Sequence, residues 1–197
     1  NSNLGKKKVI HGDPVMSNGF KVPVPINEPI KDYAPNSEEK KSLVVKLNEL
    51  SSMKVEIPII IDGKEIKTGN TGNCIKPYDH AHILGTYHKA GEKEVKMAIE
   101  SSLDAWNDWS KTSFEFRAKI FLKMAELLAG TYRDIINAST MLNMSKNAYQ
   151  AEIDAACELI DFWNFNCYYA EEIYKQQPMY SPEGTKNQTE HRPLDGF

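Results

Sequence analysis

From about Ala148 to Gln176 the chain reads as one helix whose centre is apolar on most sides: Ile153, Ala155, Ala156, Cys157, Leu159, Ile160, Phe162 and Trp163. A helix without a broad polar face needs neighbours on several sides, so this one is a buried element of something larger. Pro178 stops it, because proline offers no N–H to continue the ladder. The rest of the chain has to supply layers around this segment.

The same helix carries acids. Asp154, Glu158 and Asp161 stand at i, i+4 and i+7, within about 60° of one another on an α-helical wall. Like charges at this spacing repel by a few tenths of a kcal/mol, so water, a basic partner or a ligand has to compensate. Glu158 differs from the other two because Ala151, Ala155, Phe162 and Phe165 share its side. A carboxylate among alanines and rings is desolvated unless it finds a partner. Two readings follow, a buried salt bridge or an acid that serves a site.

Other chemistry finds less support. A carboxylate-bridged metal pair uses Glu-x-x-His spacing, but the third residue after Glu158 is Asp161 and the helix holds no histidine. Cys157 and Cys167 lie mid-helix in apolar surroundings that raise a thiol pKa and leave the sulfur inert. Cys74 falls in a polar turn with nothing nearby to activate it. His80 and His82, at i and i+2, lack further metal ligands, and a polar loop is the expected context. Gly63, Gly69 and Gly72 fit neither a GxGxxG cradle nor a P-loop. The residue pattern therefore assigns no catalytic, cofactor-binding or metal-binding residue in this chain.

Periodicity divides the remainder. Residues 1–35 are rich in Pro, Gly, Asn and Lys without a period, which predicts an extended or disordered segment. Leu43, Val44, Leu47 and Leu50 predict a helix from about Ser37 to Met53, with Asn36 as cap and Glu39 completing a capping box. Ile57, Ile59, Ile60 and Ile61 suit a strand, and Asp62-Gly63 is a two-residue hairpin signal, with Lys64 to Lys67 returning. A second extended stretch spans about Asn73 to Tyr87, broken by a turn at Pro77-Tyr78-Asp79-His80. From Gly91 the chain is helical, with Val95, Ile99, Leu103 and Trp106 at helical spacing. Thr112-Ser113-Phe114-Glu115 opens another helix, for which Ile120, Phe121, Met124, Leu127 and Leu128 are the expected buried face and Gly130 the stop. A shorter helix covers about Tyr132 to Met144. The fold class expected is α+β, mostly helical.

Composition narrows the partners. A formal net charge of −3 over 197 residues argues against a nucleic-acid partner, which needs a concentrated basic surface. The one tight basic run, Lys6-Lys7-Lys8, is expected to be a solvated tail. No apolar run approaches bilayer length, so no membrane partner is expected. Three cysteines without a CxxC pair suggest a reducing compartment. The chain begins at Asn1, which predicts either a removed leader or a piece of a longer sequence. Its first 30 residues, with one Asp, one Glu and four Lys, are compatible with the remains of a transit peptide.

Read as a string, the run from Ala151 to Asn166, Ala-Glu-Ile-Asp-Ala-Ala-Cys-Glu-Leu-Ile-Asp-Phe-Trp-Asn-Phe-Asn, resembles the signature helix of the 1-pyrroline-5-carboxylate (L-glutamate γ-semialdehyde) dehydrogenases of the aldehyde dehydrogenase superfamily. Ile57-Pro58 with Asp62-Gly63, the Pro77 to His82 turn, Arg117 to Lys123, Gln176-Gln177-Pro178 and Arg192 to Phe197 agree in order and spacing. The resemblance covers most of residues 28–197, while residues 1–27 match no named family. It implies the N-terminal part of an aldehyde dehydrogenase fold: an incomplete part of the NAD-binding domain over 36–187, namely its helical layer with a β-hairpin, and the start of an oligomerisation strand or flap over 188–197.

The resemblance also implies a reaction, the NAD-dependent oxidation of glutamate γ-semialdehyde to glutamate in proline catabolism. A cysteine thiolate attacks the aldehyde, hydride passes to the nicotinamide, and a glutamate base assists thioester hydrolysis. By the same resemblance Glu158 projects into the aldehyde pocket, and Phe162, one turn on, lines the same region. A homo-oligomer in the mitochondrial matrix is expected of the full-length enzyme. The family's oxyanion Asn, nucleophilic Cys, base Glu and main NAD-binding residues fall outside this chain, which is therefore expected to be inactive alone. The alternative is a complete, non-catalytic helical binding module or an inactive partner of a full-length dehydrogenase. One loop departs from the family pattern: Asn143-Met144-Ser145-Lys146-Asn147 stands where relatives have Gly-Gln-Gly-Lys-Thr.

Overall fold

The structure, a computed structural model, describes residues 20–193. The expectations for residues 1–19, the Lys6-Lys7-Lys8 tail among them, and for residues 194–197 lie outside the described residues. A strap without regular secondary structure, residues 20–34, leads into α1 (Glu38–Ser52). Five short strands follow: β1 (Val55–Ile57), β2 (Ile59–Ile61), β3 (Lys64–Ile66), β4 (Thr71–Lys76) and β5 (Asp79–His88). The rest is helical: α2 (Glu92–Trp109), α3 (Phe114–Ala129), α4 (Arg133–Met144), α5 (Ala148–Ala151), a π-helical turn over Glu152–Cys157, and α6 (Glu158–Lys175). The expected α+β, mostly helical class is what the chain adopts.

Local chemistry explains most boundaries. Asp62 (φ 54°) and Gly63 (φ 68°) both take the left-handed angles that a type I′ turn requires, and β2 and β3 pair antiparallel across them. Asn36 does not cap α1. It occupies φ 69°, a conformation asparagine tolerates, and the Ser37 hydroxyl instead accepts the Lys40 N–H at 3.3 Å. Ser113 caps α3 in the same way, accepting from Phe116 N–H at 3.2 Å. Gly130 ends α3 as expected.

β1 runs parallel to β5, and β4 antiparallel to it, in a sheet ordered β1-β5-β4. Gly85 lies against β1 so closely that a Cβ there would sit 2.3 Å from the Val55 carbonyl oxygen. His88 closes this corner. Gly69 N–H donates to its Nδ1 at 3.2 Å, so Nε2 carries the proton that is given to Glu56 Oε1 at 3.0 Å.

The core lies where α3, α4 and α6 meet. Ala125, Leu128, Ala156 and Ile160 form one buried cluster, and Tyr33, Leu43 and Ala138 form another beneath α1. The buried side of α3 is Ala118, Ala125 and Leu128. This corrects the expected face, because Ile120, Phe121, Met124 and Leu127 are 37–39% exposed. Small residues let α3 and α6 approach closely, and the large ones point away from that contact. The helical period reports an apolar surface but not which neighbour covers it. Val95, Ile99 and Leu103 on α2 are uncovered in the same way, and α2 buries no residue.

Candidate functional site

The long helix departs from α geometry over six residues. Glu158 N–H bonds the Ile153 carbonyl, five residues back, at the end of the π-helical turn. A π turn is wider than an α turn, so the wall positions before it rotate relative to those after it. The consequence concerns two glutamates. Glu152 turns inward and is completely buried, whereas Glu158 emerges exposed.

Glu152 is held by its neighbours. Lys31 N–H donates to Oε1 at 2.8 Å, and the Tyr33 hydroxyl and Asn137 Nδ2 donate to Oε2 at 2.8 and 2.7 Å. Arg133, itself buried, pairs with Glu152, pairs with Glu28 of the strap, and donates to the Pro29 carbonyl at 2.8 Å. Burial alone would raise the Glu152 pKa. The Arg133 hydrogen bond, then those from Lys31, Tyr33 and Asn137, reverse this and hold it down at about 2. The Tyr33 phenol is pushed up by burial and by Glu152. Burial pushes the Cys157 thiol up to about 11, and the Glu152 charge adds to the effect. Cys157 and Cys167 are both buried, as befits packing residues.

Glu158 and Phe162 stand one turn apart on α6 and line the same open-sided hollow of about 800 Å³. Ile153, Phe165 and Tyr169 contribute to it from the helix, and Asn27, Glu28 and Ile30 from the strap. Glu158 and Phe162 also border a second hollow of about 370 Å³ with Ile136 and Leu159. Among the described residues Glu158 forms no hydrogen bond or ion pair, so the salt-bridge alternative has no partner here. Phe162 is 53% exposed. The surroundings differ from those expected of Glu158: Ala151 is fully buried, turned off this wall by the π turn, and Ala155 borders only the smaller hollow.

The other two acids of the helix are satisfied separately. Asp154 pairs with Lys146, and Asp161 accepts from Asn27 Nδ2 and Glu28 N–H, each at 2.7 Å. Glu158 alone of the three keeps a carboxylate free for a ligand. The helix pattern did not reveal Glu152, Arg133, Tyr33, Asn137 or Asn27. A charged residue inside an apolar run was the one available signal, and Glu152 gave it.

Among the described residues no group of three His, Cys, Asp or Glu side chains comes together as a metal site. His82 Nε2 lies 2.9 Å from the Ser51 carbonyl oxygen. A dinucleotide cradle needs a glycine-rich strand-to-helix turn whose N–H groups face the pyrophosphate. The turn from β5 into α2 does not fit, because Glu94 already accepts the Gly91 N–H at 2.8 Å and Glu92 adds a second negative charge. Gly72 offers no room either, since a Cβ there would meet the Tyr87 ring at 2.5 Å.

Comparison with known proteins decides the family. The model of the aldehyde dehydrogenase family matches residues 65–197. The chain belongs to the aldehyde dehydrogenase family. This aldehyde dehydrogenase chain is 44% identical over 179 residues to the probable delta-1-pyrroline-5-carboxylate dehydrogenase of Schizosaccharomyces pombe, covering 90% of this chain and 33% of that protein. It is 38% identical over 171 residues to the mitochondrial delta-1-pyrroline-5-carboxylate dehydrogenase of Homo sapiens, covering 87% of this chain and 30% of that one. The crystal structure of the Mycobacterium tuberculosis enzyme of the same name superposes with a TM-score of 0.89 at 44% identity, over 92% of this chain and 34% of that one. That enzyme has also been solved with NAD bound. The chain spans about a third of the length of the relatives it matches.

Proposed function

We propose that this aldehyde dehydrogenase chain is the N-terminal segment of an NAD-dependent L-glutamate γ-semialdehyde dehydrogenase acting in proline catabolism, in which Glu158 and Phe162 face the aldehyde pocket. The observation that carries the reading is the exposed pair Glu158 and Phe162 on one hollow, one acid without a partner beside one ring. A small-molecule site of this kind combines an apolar wall with few polar groups. An ammonium or hydroxyl of the substrate is the natural complement to an unpaired carboxylate.

The apolar faces left open on α2 and α3 support the view that further chain covers them. NAD is the cofactor proposed, because a relative was solved with it. In this reading its main binding residues come from outside this segment, whose β5-to-α2 turn does not fit the pyrophosphate. A full-length homo-oligomer in the mitochondrial matrix is part of the same proposal, in line with the mitochondrial names of relatives from Dictyostelium discoideum and Homo sapiens. Residues 188–193 form no strand within the described residues, and the strand proposed for 188–197 is one that forms on assembly. In this reading its partner is elsewhere in the oligomer.

Two preparations test the proposal. The 197 residues alone should reduce no NAD with glutamate γ-semialdehyde, and the complete protein containing them should. Turnover by the isolated segment, or none by the complete protein, would refute it.

A further inference from the structure

An extended strap with no neighbouring strand leaves its backbone N–H groups to find acceptors. Here three carboxylates of the long helix take them: Glu171 accepts from Val22 at 2.7 Å, Asp161 from Glu28 at 2.7 Å and Glu152 from Lys31 at 2.8 Å. The two outer anchors are buried in the core, whereas Asp161 lies between them at the hollow. Both of its oxygens are engaged, Oδ1 by Glu28 N–H and Oδ2 by the Asn27 side chain. The stretch it pins, Asn27 to Ile30, is the wall of the hollow that faces Glu158 and Phe162.

We infer that Asp161 is a positioning residue for the aldehyde site: it touches no substrate itself, but fixes the strap as the second wall of the hollow and so sets its width opposite Glu158. The inference rests on the reading of Glu158 given above. Its physical basis is the division of labour among the anchors. With Asp161 removed, Glu171 still holds Val22, and Arg133 and Glu152 still hold Glu28, Pro29 and Lys31 through contacts of their own. The strap stays on the protein, and only the wall loosens. A residue that acted solely on stability would not separate these effects.

The test uses the complete enzyme. Asp161→Ala should raise KM for the semialdehyde by about tenfold, the cost of losing hydrogen bonds to a charged acceptor, with kcat changed much less. KM for NAD should be unmoved, and amide exchange should accelerate at Glu28. Asp161→Asn should rescue most of the KM, because its carbonyl oxygen still accepts the Glu28 N–H. Should Asp161→Ala fail to fold, Asn27→Ala removes one surface hydrogen bond and should shift KM in the same direction, by about threefold. Accelerated exchange at Glu28 with an unchanged KM would overturn the inference. Glu158→Gln is run alongside. If it changes KM and neither strap variant does, the inference fails and the function reading stands. If Glu158→Gln leaves the kinetics unchanged, the function reading fails, and the inference fails with it.

Discussion

Arg133 and Glu152 form a buried ion pair at the junction of α4, the π-helical turn and the strap, with neither side chain more than 2% exposed. Such a pair is costly to desolvate, and its intramolecular gain depends on every remaining lone pair and N–H finding a partner. Here Tyr33, Asn137, Lys31, Glu28 and Pro29 supply most of them. Removing one charge while leaving the other buried should cost about 3–5 kcal/mol. Arg133→Met and Glu152→Gln should each lower the urea midpoint by a corresponding amount, and exchange should rise first in strap residues 28–33. A loss under about 1 kcal/mol would show that the pair does not hold the strap.

The same carboxylate predicts an acid response. Its pKa in the folded protein is about 2 against an ordinary 4.5. A depressed acid stabilises the fold fully above the ordinary value and loses that contribution as pH falls through the folded value. Stability should therefore decline between about pH 5 and pH 2, with Glu152 accounting for about 3 kcal/mol of the loss. Denaturation profiles of the parent and Glu152→Gln compare the two directly. The variant should start lower at pH 7 and show a shallower acid slope, and parallel profiles would contradict the assignment.

Ser145 occupies φ 57°, ψ 25° at the C-terminal end of α4, a left-handed position that usually falls to glycine. In the resemblance described above it stands at the second glycine of the Gly-Gln-Gly-Lys-Thr loop, and here a residue with a Cβ takes the left-handed angle. Asn147, in place of the threonine, caps α5 by accepting from Gln150 N–H at 2.9 Å. Ser145→Gly should relieve the strain and stabilise the protein by about 0.5–1 kcal/mol. Thermal denaturation measures this, and a destabilised variant would mean that the serine side chain contributes a contact of its own.

Thiol labelling should divide the cysteines. Cys74 on β4 is partly accessible, whereas Cys157 and Cys167 are buried with thiol pKa values pushed up by burial. In the native protein at pH 7.5 a maleimide should modify Cys74 first, with the other two reacting only on unfolding. Mass spectrometry of a labelling time course would expose an error in the packing of α6 if Cys157 reacted as fast as Cys74.

Legibility in the sequence varied with the physics. Local chemistry was readable: Asp62-Gly63 gave the hairpin turn, Gly130 the end of α3, and the periodic apolar residues gave each helix to within a few positions. Long-range choices were not. Ile120 and Met124 have the period of a buried face, yet Ala118 and Ala125 make the close contact, because which side is covered depends on residues dozens of positions away. The exchange of roles between Glu152 and Glu158 was equally hidden. An ideal helical wheel assumes uniform turns, and one π turn moves a glutamate from rim to core. The strap looked structureless because its partners are carboxylates on a helix more than 120 residues later, which leave no local period.

The role of Glu158 is tested most directly by steady-state kinetics of the complete enzyme with Glu158→Gln, varying glutamate γ-semialdehyde and NAD in turn. The variant should lose about tenfold or more in kcat/KM for the semialdehyde, about the value of a charge-assisted hydrogen bond, with KM for NAD unchanged. Parent-like kinetics for the semialdehyde, or a defect confined to NAD, would contradict that role.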